Sequence, residues 1–130
     1  MPLMIGAKGE AETIVSPHNT AAAVGSGSLP VFATPMMVAL MEQAAVNALA
    51  GQLEEGQGTV GTHMDVSHDS ATPVGLKVWA QAQLTGLEGR ALHFAVTAFD
   101  EAGPIGKGLH TRFIIQNEKF MTKANGKAGK

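Results

Sequence analysis

An α+β layer fold, one antiparallel sheet packed against one long helix, is predicted for this chain by three observations. Residues 34–50 form an almost charge-free run with the composition of a buried helix. Past Gly58 the apolar spacing changes from a helical period to alternation, which marks strands. Turn formers then recur at 71–75, 85–89 and 100–103, links short enough to join antiparallel neighbours. With 130 residues, 45% of them apolar, the chain is sized for a single core.

The first strand is expected over residues 8–16, closed by Ser16-Pro17-His18-Asn19. Residues 25–30, Gly-Ser-Gly-Ser-Leu-Pro, form a loop that leads into Val31-Phe32-Ala33-Thr34. Thr34 suits a helix N-cap, and Pro35 suits the first helical position, where its missing N–H is not needed. Gly51 or Gly56 supplies the stop. In the next strand Val60, Thr62, Met64, Val66 and His68 share one face, with Thr59, Gly61, His63, Asp65 and Ser67 on the other. The following strand sets Leu76, Val78, Ala80, Ala82 and Leu84 against Lys77, Trp79, Gln81 and Gln83. Leu92, Phe94, Val96 and Ala98 continue the apolar face, and 105–115 makes a last long strand. Residues 117–123 form a short closing helix, so the domain spans 1–123 and the lysine-rich end, 124–130, is expected to be disordered. A helix with so little polar surface needs cover on nearly all sides. Either the sheet wraps it, or a second subunit covers it, or both, which describes a hot-dog fold and predicts a two-fold dimer.

A net charge of −2 argues against nucleic acid or an acidic membrane as partner. With no cysteine, disulfides and thiolate metal sites are excluded. Residues 1–6 lack the basic and apolar regions of a signal peptide, and the longest apolar stretch is interrupted by Glu42 and Gln43. The expectation is a cytoplasmic protein with no membrane span.

Glu42 is the residue that asks for a use. No Lys or Arg lies within helical reach of it, and a carboxylate in an apolar setting costs several kcal/mol unless paired, hydrogen-bonded or protonated. His68 ends the apolar face of its strand and so points to the helix, where it can form an acid/base or orienting pair with Glu42. Alone, it would read as a core histidine. Thr34 needs no purpose beyond capping, but a helix N-terminus also suits a developing oxyanion. Eight residues separate Thr34 from Glu42, roughly 12 Å in a straight helix, so the two meet only if Thr34 folds back or two subunits share the site. Gly61 in a strand reads as a bulge or as a close approach to the backbone. Arg112, beside His110 and Ile114 in the alternation, reads as a solvated residue or as a holder of phosphate or carboxylate. His63 is expected to be exposed and idle. His63, Asp65 and His68 divide between two faces, so no metal is expected.

On these residues the chain resembles the fluoroacetyl-CoA thioesterase-like branch of hot-dog thioesterases. The matching stretches are Val31-Phe32-Ala33-Thr34, Leu40-Met41-Glu42, Gly61-Thr62, Val66-Ser67-His68, Ala71-Thr72-Pro73-Val74-Gly75-Leu76 and the run from Ile105-Gly106 through His110-Thr111-Arg112 to Glu118-Lys119-Phe120. The resemblance implies thioester hydrolysis by Thr34, Glu42 and His68 acting together, with Gly61 and Arg112 in substrate binding. It implies an acyl-CoA substrate, coenzyme A being part of that substrate, and no separate cofactor. The fluoroacetate-specific enzyme has an aromatic gate before the Val-Phe-Ala-Thr motif, whereas residues 25–30 here carry no aromatic side chain. The expected substrate is therefore a short or medium acyl thioester.

Two rivals keep the fold. A hot-dog hydratase or dehydratase would use an Asp followed several residues later by His, but Asp65 and His68 fall on opposite faces. A non-catalytic acyl-CoA-binding module would have no need for Glu42.

Overall fold

The computed structural model describes residues 3–129. Its elements run β1 (Lys8–Ile14), α1 (Ala21–Val24), α2 (Thr34–Ala48), β2 (Gln57–His68), β3 (Lys77–Glu88), β4 (Ala91–Asp100), β5 (Gly103–Gln116) and α3 (Asn117–Gly126). The five strands form one antiparallel sheet in the order β1-β3-β4-β5-β2. Consecutive hairpins place β3, β4 and β5 side by side, while β1 and β2, which flank α2 in sequence, take the two edges. The helix packs across the sheet, chiefly on β1 and β3. This is the predicted hot-dog architecture. No helix among the described residues is long and apolar enough to cross a membrane.

One stripe of α2 makes the core: Met37, Leu40, Met41, Ala44, Ala45 and Ala48 recur at three- and four-residue steps and are buried. Complete burial of a methionine such as Met37 or Met41 is worth about 1.5–3 kcal/mol. Beneath them lie Val78, Ala80, Ala82 and Leu84 of β3 and Leu92, Phe94, Val96 and Ala98 of β4, the alternation read from the sequence. A Cβ at Gly9 would run into the backbone of Ala44 and Ala48, so glycine is what lets β1 lie directly on the helix. The helix is not covered all round within one chain. Ala39, Gln43 and Asn47 are exposed on its other side, and Val46 is 41% exposed.

Three local expectations are corrected, and one short helix is added to them. Thr34 opens α2 instead of capping it, the N-cap being Ala33 with no side-chain bond, and this leaves the Thr34 hydroxyl free for another partner. The short helix α1, capped by the Thr20 hydroxyl, has too few residues to show a period. Thr85 and Gly86 belong to β3, whose register slips beside them, and the turn tightens to Gly89-Arg90, with Gly89 at φ +61°. Helix α3 continues to Gly126, so the start of the supposedly disordered end is helical, while Lys130 lies outside the described residues.

A fourth correction bears on function. The pairing of β2 with β5 slips between Gly61 and His63, making Thr62 an extra residue. Strict alternation is broken there, so Gly61 faces the helix, and Val60 moves to the outer side opposite Phe113. His63 is exposed, whereas Met64 and Val66 pack against the core as expected.

Candidate functional site

The entry to α2 is held by a buried chain of hydrogen bonds. The Thr72 hydroxyl donates to Asp100 Oδ2 at 2.7 Å, and the Thr72 carbonyl accepts from the Phe32 N–H at 2.8 Å. Thr72 is fully buried and Asp100 nearly so, which fixes the 69–75 loop against the hairpin of β4 and β5. This brace sets Thr34 over the end of β2, where Thr34 Oγ1 lies 2.7 Å from His68 Nδ1. Burial lowers the His68 pKa below its ordinary 6.5, with the Ser70 backbone and the Asp69 charge pulling weakly the other way. His68 Nε2 is buried without a hydrogen-bond partner among the described residues. Such an atom costs about 1–3 kcal/mol if left unmade, so it marks a place for a further group. Ala21, Ser26, Val31 and Phe32 line the adjoining cleft of about 340 Å³.

Glu42 sits two turns further along α2, in a different setting. Arg112 Nη1 donates to Glu42 Oε2 at 3.0 Å, Nε donates to Thr59 Oγ1 at 2.9 Å, and Nη2 donates to the Thr59 carbonyl at 3.0 Å. Arg112 is thus buried and committed, neither solvated nor turned outward to a phosphate. The expected solitude of Glu42 is corrected as well: its cation comes from across the sheet, and its side chain is 40% exposed in the single chain. Glu42 Oε1 makes no hydrogen bond among the described residues.

His110 was not singled out from the sequence, yet it completes this cluster. Its Nδ1 donates to the His63 carbonyl at 2.8 Å, a bond only the protonated nitrogen can make, so Nε2 carries the lone pair. That lone pair accepts from Arg112 Nη1 at 3.2 Å, and Glu42 Oε2 lies 3.9 Å away. Burial lowers the His110 pKa, the His63 carbonyl opposing; the Arg112 charge lowers it further and Glu42 partly offsets this. His110 is a neutral acceptor that helps hold the guanidinium. The signal for it was present: His110 and Arg112, two apart, are polar residues on a face that should be apolar.

A Cβ at Gly61 would collide with Glu42 Oε2 and lie 3.1 Å from His110 Cε1 and 3.3 Å from Arg112 Nη1. Its φ is not left-handed, so space and not backbone freedom demands glycine here. We expect Gly61→Ala to fold normally but to displace the Glu42 carboxylate, and an activity that depends on that carboxylate should fall roughly 10–100-fold, the usual cost of a misplacement near 1 Å. Steady-state kinetics beside a thermal melt checks this, and full activity in the variant would remove Gly61 from the site.

Thr34 with His68, and Glu42 with Gly61, His110 and Arg112, are therefore two separate clusters in one chain. Glu42 and His68 do not touch within it.

Residues 15–118 match the sequence profile of FlK, the fluoroacetyl-CoA-specific thioesterase. The fluoroacetyl-CoA thioesterase of Streptantibioticus cattleyicolor is 48% identical over 97 residues, covering 75% of this chain and 70% of that protein. A solved structure of FlK superimposes with a TM-score of 0.91 at 40% identity, over 98% of both chains. A phenylalanine-to-alanine variant of FlK, in complex with fluoroacetate and CoA, superimposes with a TM-score of 0.84 at 41% identity, over 90% of this chain and 98% of that one.

Proposed function

Because the chain belongs to the fluoroacetyl-CoA thioesterase family and is a thioester hydrolase acting on acyl-CoA, we propose that it uses Glu42, His68 and Thr34 to hydrolyse short or medium acyl-CoA thioesters. The observation that carries this reading is the Glu42 carboxylate, held through Oε2 by Arg112 and lying against Gly61, which has no side chain, while Oε1 makes no hydrogen bond among the described residues. The free oxygen acts on the thioester carbonyl as a nucleophile, or takes a proton from the attacking water. His68, kept neutral by burial, moves protons, and the Thr34 hydroxyl with the first N–H groups of α2 steadies the oxyanion. The products are a carboxylic acid and the free thiol of coenzyme A.

A homodimer brings the half-sites together. Strand β2 lies at a sheet edge, and an exposed edge is open to pairing. Antiparallel pairing of two β2 strands about a two-fold axis near Asp65 puts Met64 opposite Val66 of the partner subunit. Counting on past the extra Thr62, Gly61 then faces His68 of the partner subunit. The bulge is what puts both on the helix side. Strands so paired are about 4.8 Å apart, within reach of the free Glu42 oxygen and the unpartnered Nε2 of His68.

The cleft beside Thr34 and His68 is bounded by Ala21, Ser26, Val31 and Phe32, and residues 25–30 add no aromatic side chain. Residues 25–30 therefore offer no aromatic group with which to select fluoroacetyl strictly over plain acyl groups. Acetyl-, butyryl-, hexanoyl-, octanoyl- and fluoroacetyl-CoA, each followed by thiol release, test the proposal. Turnover of the unfluorinated thioesters is expected, with fluoroacetyl-CoA favoured by less than about tenfold, worth some 1.4 kcal/mol. Strict preference for fluoroacetyl-CoA would overturn the specificity, and inactivity on all five would overturn the function.

A further inference from the structure

We propose that the lysine face of α3 binds the phosphates of the coenzyme A nucleotide, an inference that rests on the acyl-CoA reading above. Coenzyme A carries a diphosphate and a 3′-phosphate, and Arg112, the cation the sequence offers for them, has its donors committed to Glu42, Thr59 and His110. Lys77 is paired with Glu12 at 3.0 Å, Lys8 lies in the far edge strand, Lys107 lies opposite Ser67, near the His68 end of β2, and Arg90 is a single cation in the turn between β3 and β4. The C-terminal helix is different. Lys119, Lys123 and Lys127 follow one another at four-residue steps, which puts them on one stripe. All three are exposed and form no salt bridge among the described residues. Helix α3 buries none of its residues, so packing does not explain the stripe.

The placement fits the length of the substrate. Gly61 pairs with Arg112 and Gln57 pairs with Gln116, the residue before α3. Those four strand steps carry the chain about 13 Å from the Glu42 half-site to the helix. The pantetheine arm has as many chain bonds as nearly five residues, about 16 Å when extended. At the end of that path an open groove of about 900 Å³ is lined by Gly56, Gln116, Lys119, Thr122 and Lys123. Glu118 also lines the groove, in the first turn of α3, where the helix dipole favours an acid. The thioester then lies at Glu42 and Gly61, the arm along β2 and β5, and the nucleotide phosphates against Lys119 and Lys123.

The test is the double variant Lys119→Glu with Lys123→Glu, assayed on an acyl-CoA and on the same acyl group carried by pantetheine, which lacks the nucleotide phosphates. KM for acyl-CoA is expected to rise roughly tenfold or more and to lose most of its salt dependence. The selectivity for acyl-CoA over acyl-pantetheine should fall by the same factor. The charge-matched double variant Lys8→Glu with Lys107→Glu should match wild type. Equal changes on both substrates, or none on either, would overturn the site. Calorimetric titration with coenzyme A itself separates this proposal from the enzymatic one. Hydrolysis by wild type, with unweakened coenzyme A binding in the α3 variant, rejects the lysine face alone. Binding that the variant loses, in a wild type that hydrolyses no thioester, rejects the hydrolytic reading and keeps the site. No binding to a wild type that still hydrolyses rejects the lysine face alone, and neither binding nor hydrolysis rejects both.

Discussion

Glu42→Gln is expected to lower kcat by a factor of roughly 10²–10⁴ while the protein stays folded, because it removes the basic and nucleophilic oxygen and changes almost nothing else. The amide carbonyl of glutamine can still accept from Arg112 Nη1, so the guanidinium keeps its hydrogen bonds to Thr59, His110 and position 42. Arg112 is buried but Glu42 is 40% exposed in the single chain, and because glutamine keeps the hydrogen bond the loss should stay near about 1 kcal/mol. The melting temperature should therefore move by a few degrees at most, while thiol release from acyl-CoA nearly stops. KM is expected to change little, since the carboxylate works on the transition state and not on the nucleotide. Unimpaired turnover would reject the carboxylate as the reacting group. Lost turnover together with a collapsed thermal transition would instead make Glu42 a structural partner of Arg112.

Much of this arrangement could be read from the chain, and the parts that could not have definite causes. The helix stripe from Met37 to Ala48 and the alternation of β3 and β4 follow periods that burial imposes, so fold and core were legible. Gly61 was misplaced because alternation assumes one residue per step, and the extra Thr62 has no signature beyond the glycine beside it. Glu42 seemed unpaired because only its own helix could be searched from sequence. Arg112, 70 positions away, reaches it through the packing of α2 on the sheet. His110 escaped notice among Gly106, Gly108 and an exposed Leu109, which blur the pattern of β5. His68 was placed correctly on the helix side, but its partner within the chain is Thr34. The eight-residue gap between Thr34 and Glu42 had already limited the choice to a fold-back or a shared site. Thr34 stays within the helix, so the fold-back is excluded, and the shared site is the alternative we propose.

Mixing two dead variants is expected to restore activity, and this follows from how the half-sites are divided. Glu42→Gln and His68→Ala should each be nearly inactive as homodimers, since every composite site then lacks one of its two groups. In a heterodimer, one site combines both substitutions and the other combines intact Glu42 with intact His68. Random co-refolding of equal amounts makes half of the dimers mixed, each with one working site of two, so about a quarter of wild-type activity should return. The recovered activity should also carry the pH signature of the intact ring. Burial favours the neutral form of His68, so its protonation, and the acid limb of kcat/KM, should fall below pH 6.5. Above that limb the ring is free to accept a proton, and activity is lost as pH drops through the lowered pKa. If both groups instead served one subunit's site, each chain would carry one lesion and no mixture could recover. An inactive mixture whose heterodimers are verified by mass would therefore reject the shared site, even if each single substitution abolished turnover as expected.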